Sequence, residues 1–199
     1  MAYQLTSLGI SVLALLRERP MHGYEVFQTL VARHEDRIVR VRPGSLYHVV
    51  YRLAEKKLVR QTATGRDGNR PERTTFEITD AGAEALTGWV RELIATPVNE
   101  FPQFVVALAE IHNLGLDTAL EAVRRRISAL DARVAEMLTL RDAGTAPTAH
   151  LIALDFLLAT TQAQLTWLRE LVDSLRSGRL QWQARQPDTV MVSRNEVGR

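Results

Sequence analysis

The 199-residue chain has no cysteine. Disulfides, cysteine-ligated zinc, iron–sulfur clusters and thiol chemistry are excluded, and a reducing compartment fits that usage. The N-terminus lacks the basic-then-apolar signature of a secretory signal, and no apolar run approaches the roughly 18 residues that a membrane span requires. Internal repeats and low-complexity runs are also missing. With 46% hydrophobic residues the chain can bury a core, so the absences describe a folded cytoplasmic protein held by packing, with no membrane partner.

The common catalytic patterns are missing too. His22, His34, His48, His112 and His150 are scattered without metal-ligand spacing. Ser45 and His48 lie three apart, yet no G-x-S-x-G elbow surrounds the serine and no partner carboxylate is evident. "GRDGNR" lacks the G-K-[ST] of a phosphate loop and runs into no helix. No enzyme activity, metal or cofactor is expected.

What the chain does have is uneven charge. The formal net charge is +2, but residues 1–82 hold 13 Lys or Arg against 9 Asp or Glu, and the remainder holds 12 against 14. Between Arg33 and Arg73 there are 11 basic and 5 acidic residues. Such a patch attracts polyanions.

Leu5, Leu8, Val12, Leu15 and Leu16 are spaced for a helix that ends at Arg19, before Pro20. A second helix is predicted from near His22 to His34, with Phe27, Leu30 and Val31 inward; Gly23 in its first turn would let a neighbouring backbone come close. In "RPGSLYHVVYRLAEKKLV", residues 42–59, Pro43 suits the first position of a third helix, and Leu46, Val49, Val50 and Leu53 form one buried stripe. Its polar side carries Ser45, Tyr47, His48, Tyr51 and Arg52. Val59–Thr64 and Arg73–Thr79 are rich in β-branched residues around the turn-forming "GRDGNRPE", which predicts a two-stranded hairpin with a basic tip and Phe76 and Ile78 inward. Thr79 is a good N-cap for a fourth helix running to about Ala95.

"TPVNEFPQF" breaks that helix with two prolines. Beyond it, Leu120, Val123, Ile127, Leu130, Val134 and Met137 step by three and four, as do Leu151, Leu154, Leu158, Thr161, Leu165, Leu168, Val172 and Leu175 after the interruption "DAGTAPT". Two such helices joined by a short turn form an antiparallel pair. Ile152, Leu157 and Leu171 lie beside the seam, so the apolar surface is wider than one helix covers, and a second copy of the chain is the simplest cover. The seam residues Leu120, Val123, Ile127, Leu130, Val134, Leu151, Leu154, Leu158, Leu165, Leu168, Val172 and Leu175 are therefore assigned to dimerisation. The expected division is a head over residues 1–97, a helical dimerisation domain over 98–182 and a tail over 183–199.

Three short helices followed by a basic hairpin describe a winged helix-turn-helix, so the fold class is mainly α with a small β-hairpin wing and a C-terminal α-helical domain. In that arrangement the third helix enters the DNA major groove and the wing reaches the adjacent backbone or minor groove. Arg42, Gly44, Ser45, Tyr47, His48, Tyr51 and Arg52 become candidate DNA contacts on the third helix, with Arg66, Arg70 and Arg73 on the wing. A module whose head binds a protein partner is the alternative; such heads usually lose their basic surface, and this one keeps it.

"LLRERPMHGYEV", "GSLYHVVYRLAEKKLV" and "RPERTTFEITDAGAEAL" resemble the glycine-tyrosine, leucine-tyrosine and threonine-x-x-glycine signatures of the PadR family of bacterial transcriptional regulators, over residues 8–86. The helical second half resembles the C-terminal dimerisation region of larger members. The resemblance implies a homodimeric repressor on a pseudo-palindromic operator. Two departures stand out: His48 where many members have proline, and Phe76 where tyrosine is common. Relatives respond to small aromatic molecules, and Trp89, Trp167 and Trp182 are candidates for lining an effector pocket. Packing in the core or dimer seam is the better-supported role for them, so no effector site is assigned.

Overall fold

The computed structural model describes residues 5–65, 73–143 and 148–183. It divides into two compact units, Met1–Asn99 and Glu100–Arg199.

The first unit, the head, opens with α1 (Ser7–Glu18), whose N-cap Thr6 accepts a hydrogen bond from the Gly9 amide at 3.1 Å. Leu8, Val12, Leu13, Leu15 and Leu16 are all buried, so α1 turns one broad face into the core, with Ser7, Ala14, Arg17 and Glu18 exposed opposite it. After Pro20 the chain forms β1 (Met21–His22) and then α2 (Gly23–Ala32). On α2 the buried residues are Gly23, Val26 and Leu30. Val31, expected inward, is exposed, because one residue past Leu30 the helix has turned away from the core. A short 3₁₀ turn at Glu35–Arg37 leads to α3 (Pro43–Glu55), where Leu46, Val50 and Leu53 have no exposed surface.

β2 (Val59–Gly65) and β3 (Arg73–Ile78) pair antiparallel, with a bulge between Gln61 and Ala63 that sharpens the twist of the ribbon. The expected two-stranded hairpin is in fact a three-stranded sheet of order β1-β3-β2, with Met21 opposite Phe76 and His22 opposite Thr75. A two-residue strand is too short to show alternation, so pairing with β3 alone defines it.

The end of α3, the start of β2 and the start of α4 (Asp80–Ala95) meet at one joint. Lys57 adopts the left-handed conformation, φ 59°, that closes α3. The Thr79 hydroxyl donates to the carbonyls of Lys57 at 2.7 Å and Leu58 at 3.1 Å, and accepts from the Gly82 amide at 3.1 Å. A Cβ on Gly82 would lie 2.0 Å from the Leu58 carbonyl oxygen. The threonine-x-x-glycine segment is thus both a helix cap and a steric fit between elements.

In the second unit, α5 (Gln103–Ala109) and a 3₁₀ turn at Ile111–Asn113 precede α6 (Leu116–Asp142) and α7 (Thr148–Arg176). Leu120 and Val123 of α6 pack with Leu168, Val172 and Leu175 of α7, and Arg169 bonds both carboxylate oxygens of Asp131 at 2.7 and 2.9 Å. The Arg126 guanidinium lies 3.4 Å from the Phe104 ring centroid, holding α5 to α6; burial pushes its pKa below the ordinary value. α7 comes nearer to a membrane span than the sequence pattern indicated: by length and composition alone, Leu151–Arg176, with an 18-residue window of mean hydropathy 1.2, is long and apolar enough to cross. Leu158, Thr161, Leu165 and Leu168 are buried on it, and the buried Thr161 hydroxyl donates to the Leu157 carbonyl at 2.6 Å.

Candidate nucleic-acid interface

The buried stripe of α3 fixes which residues the helix presents outward. Residues four apart lie one above the other, so Tyr47 and Tyr51 share one flank, while Ser45, His48 and Arg52 share another. All five are exposed. The single polar face expected from the sequence is therefore two flanks with different neighbours.

The phenol flank is built against α2 and β3. A Cβ on Gly23 would sit 2.6 Å from Cε1 of Tyr47, so this glycine makes room for an aromatic ring, not for the neighbouring backbone expected from the sequence. The glycine-tyrosine and leucine-tyrosine signatures are in this way two sides of one contact. Tyr51 meets the buried Phe76 ring edge-on, with centroids 5.9 Å apart and planes at 84°. Each phenol is braced at its ring, which lowers the entropy lost when its hydroxyl binds a partner. Tyr24 and Gln28 of α2 and Thr74 of β3 line the same cleft. Sequence reasoning passed over these three, and the Gly23–Tyr24 pair of the first signature was the available signal.

On the other flank, His48 and Arg52 are exposed and the Ser45 hydroxyl donates to the Arg42 carbonyl at 2.9 Å. That bond uses the serine's only proton, so a phosphate contact through it requires the hydroxyl to rotate away. Arg42 is the extended N-cap and makes no side-chain cap. With Pro43 lacking an amide, the amides of Gly44 and Ser45 are left at the positive end of the helix dipole, and a Cβ on Gly44 would meet nothing within 4 Å.

The basic patch is smaller than its residue count. Arg33 is held by Glu18 through bonds of 2.6 and 2.7 Å, which raise its pKa above the ordinary value despite partial burial. Arg60 pairs across the strands with Glu77. Arg40 and Arg42 are exposed and form no ion pair among the described residues. Arg66 and Arg70 lie outside the described residues, and of Arg73 only the backbone, opposite Gly65, is described. Among the described residues no group of three or more His, Asp or Glu could hold a metal ion.

Residues 12–88 match the model of the transcriptional regulator PadR-like family. The winged head belongs to that family. Among solved structures, the chain is similar to Bacillus subtilis PadR in complex with operator DNA, at 17% identity over 84% of this chain and 98% of that one, with a TM-score of 0.70. It is similar to Bacillus subtilis PadR in complex with p-coumaric acid, at 16% identity over 83% and 96%, TM-score 0.68. It is also similar to the Vibrio cholerae virulence activator AphA, at 20% identity over 86% and 99%, TM-score 0.65. At these identities the likeness is one of fold. No curated protein matches the chain in sequence.

The tryptophans separate by environment. Trp89 packs on the core of the PadR-like head, and Trp182 packs in the helical unit, where its indole donates to the Leu114 carbonyl at 3.2 Å. Trp167 is 47% exposed. The seam residues assigned to dimerisation are largely used within the chain: Leu120, Val123, Leu158, Leu165, Leu168, Val172 and Leu175 are buried, and Ile127, Leu130, Val134, Leu151 and Leu154 are half-buried. Within the helical unit, apolar surface left open includes Ile152, Phe156 and Trp167 of α7 and Val105 and Val106 of α5.

Proposed function

We propose that the chain is a sequence-specific DNA-binding transcriptional regulator, not an enzyme, that acts in the cytoplasm as a homodimeric repressor on a pseudo-palindromic operator. The observation that carries this reading is α3: a helix locked by the buried Leu46, Val50 and Leu53 with Val49 half-buried beside them, with two braced phenols on one outer flank and Ser45, His48 and Arg52 on the other. Arg42 and the amides of Gly44 and Ser45 bind phosphate, while Tyr47, His48, Tyr51 and Arg52 approach base edges. Arg66, Arg70 and Arg73 of the wing bind backbone. The PadR of Bacillus subtilis, solved with operator DNA, supports the DNA reading, and its complex with p-coumaric acid supports release by a small-molecule effector. The helical unit makes the dimer that sets the distance between two recognition helices, and a ligand that shifts this distance changes affinity.

Selection of bound duplexes from a random-sequence pool tests this reading. Enrichment of an inverted repeat with half-sites about one helical turn apart is expected. A pool that stays random after successive rounds, at a salt concentration where non-specific binding is weak, would overturn it.

A further inference from the structure

We propose that the cleft between the start of α2, the phenol flank of α3 and β3 binds a small organic cation bearing an aromatic or methylated group, and that this ligand and DNA exclude each other. The cleft encloses about 610 Å³, within the range of small-molecule pockets. Four of its nine lining residues are aromatic, Tyr24, Tyr47, Tyr51 and Phe76, in a chain with 6% aromatic residues. Aromatic rings attract cations through the negative potential of their faces.

Charge admits the same occupant. The lining contains no lysine or arginine, and its one carboxylate is Glu25. Burial works against that charge, but hydrogen bonds from Arg19 and the His22 amide, with the nearby charge of Arg19, outweigh it and hold the carboxyl below its ordinary pKa. Because Arg19 lies 2.6 Å from one carboxylate oxygen, Glu25 is partly offset, and the rings supply much of the attraction. That favours a polarisable organic cation over a bare metal ion. His22 is engaged with the sheet, its Nδ1 3.0 Å from the Thr75 hydroxyl oxygen.

Tyr47 and Tyr51 belong both to this cleft and to the proposed DNA face, so an occupant that covers them competes with DNA in the head itself. This second part rests on the regulator reading; binding of the cation does not.

The test titrates the full chain, labelled with ¹³C in its tyrosines, with benzyltrimethylammonium and separately with phenylacetate at constant ionic strength, following the ring resonances. Saturable shifts are expected with the cation, and binding weaker by about tenfold with the anion, a difference of about 1.4 kcal/mol. Tyr24→Leu, at a side chain that is 58% exposed, and Glu25→Gln should each weaken the cation several-fold while leaving the circular dichroism spectrum unchanged. Absence of saturation, equal binding of phenylacetate, or unchanged affinity in both variants would overturn the proposal. On the selected duplex, the cation should release DNA at concentrations set by its own Kd, and Tyr24→Leu should raise the concentration needed. Cation and DNA bound together without mutual weakening would overturn the competition. Saturable cation binding by a chain that selects no duplex would leave the cleft standing and remove the regulator reading instead.

Discussion

In the head, Leu13, Leu30, Leu46 and Leu53 have no exposed surface, and Gly23 and Gly82 sit where a methyl group would collide with a neighbour. In the helical unit, α5 buries none of its residues, and Ile152 and Phe156 of α7 are 69% and 67% exposed. The head closes a tight core within one chain, although Val90, Leu93 and Ile94 near the end of α4 stay exposed, and the outer face of α3 carries polar and aromatic groups suited to DNA. The helical unit closes a narrow seam and keeps apolar surface outside it, as expected of a part completed by a second copy.

The comparison can be broken most severely in the helical seam. Leu168→Ala deletes a fully buried side chain and should destabilise the protein by about 2 to 5 kcal/mol, read as a shift of the urea midpoint by far-UV circular dichroism. A cost below about 1 kcal/mol would mean that the seam is loosely packed. Gly82→Ala attacks the joint of the head, where the added Cβ meets backbone at 2.0 Å; about 3 kcal/mol is expected in the same assay. A neutral substitution there would show that the joint yields. Phe156→Asp tests the open surface. Monomer stability should hardly change, while the dimer dissociation constant rises by about tenfold or more in sedimentation velocity. A dimer indifferent to this change uses another face.

The smallest effect is that of pH on the head. The folded-state pKa of Glu25 is lowered, so its ionised form favours the folded chain. That contribution is complete above the ordinary carboxylate pKa and is lost as the pH falls through it towards the folded value. The melting temperature of Glu25→Gln should therefore lie slightly below that of the parent at neutral pH and converge with it in acid. Parallel melting curves over that range would mean that Glu25 contributes nothing through its charge.

Short-range patterns made much of this legible in the sequence. Pro43 and the Leu46–Leu53 stripe mark α3, β-branched runs mark β2 and β3, and Thr79 marks the start of α4, because each signal lies within one or two turns of the element it defines. What stayed hidden depends on contacts between distant residues. β1 exists only through β3, more than fifty positions away. The pairing of Arg33 with Glu18 and of Arg60 with Glu77 trims the basic patch in a way that no residue count can show. Gly23 reads as a permissive glycine until Tyr47 is seen against it, and Tyr24 enters the site by the same contact. In the helical half, heptad spacing gave the antiparallel seam but could not tell which apolar residues the chain buries itself and which it leaves exposed.

The most direct measurement is fluorescence anisotropy of the protein on its selected duplex and on a shuffled duplex, over a range of salt concentrations, for the parent chain and for Tyr47→Ala. The parent should hold the selected duplex at physiological salt and resist the shuffled competitor, and Tyr47→Ala should lose most of that preference while keeping the weak, salt-sensitive binding common to both DNAs. Equal binding of both duplexes by the parent, vanishing together as salt rises, would contradict sequence-specific recognition by α3.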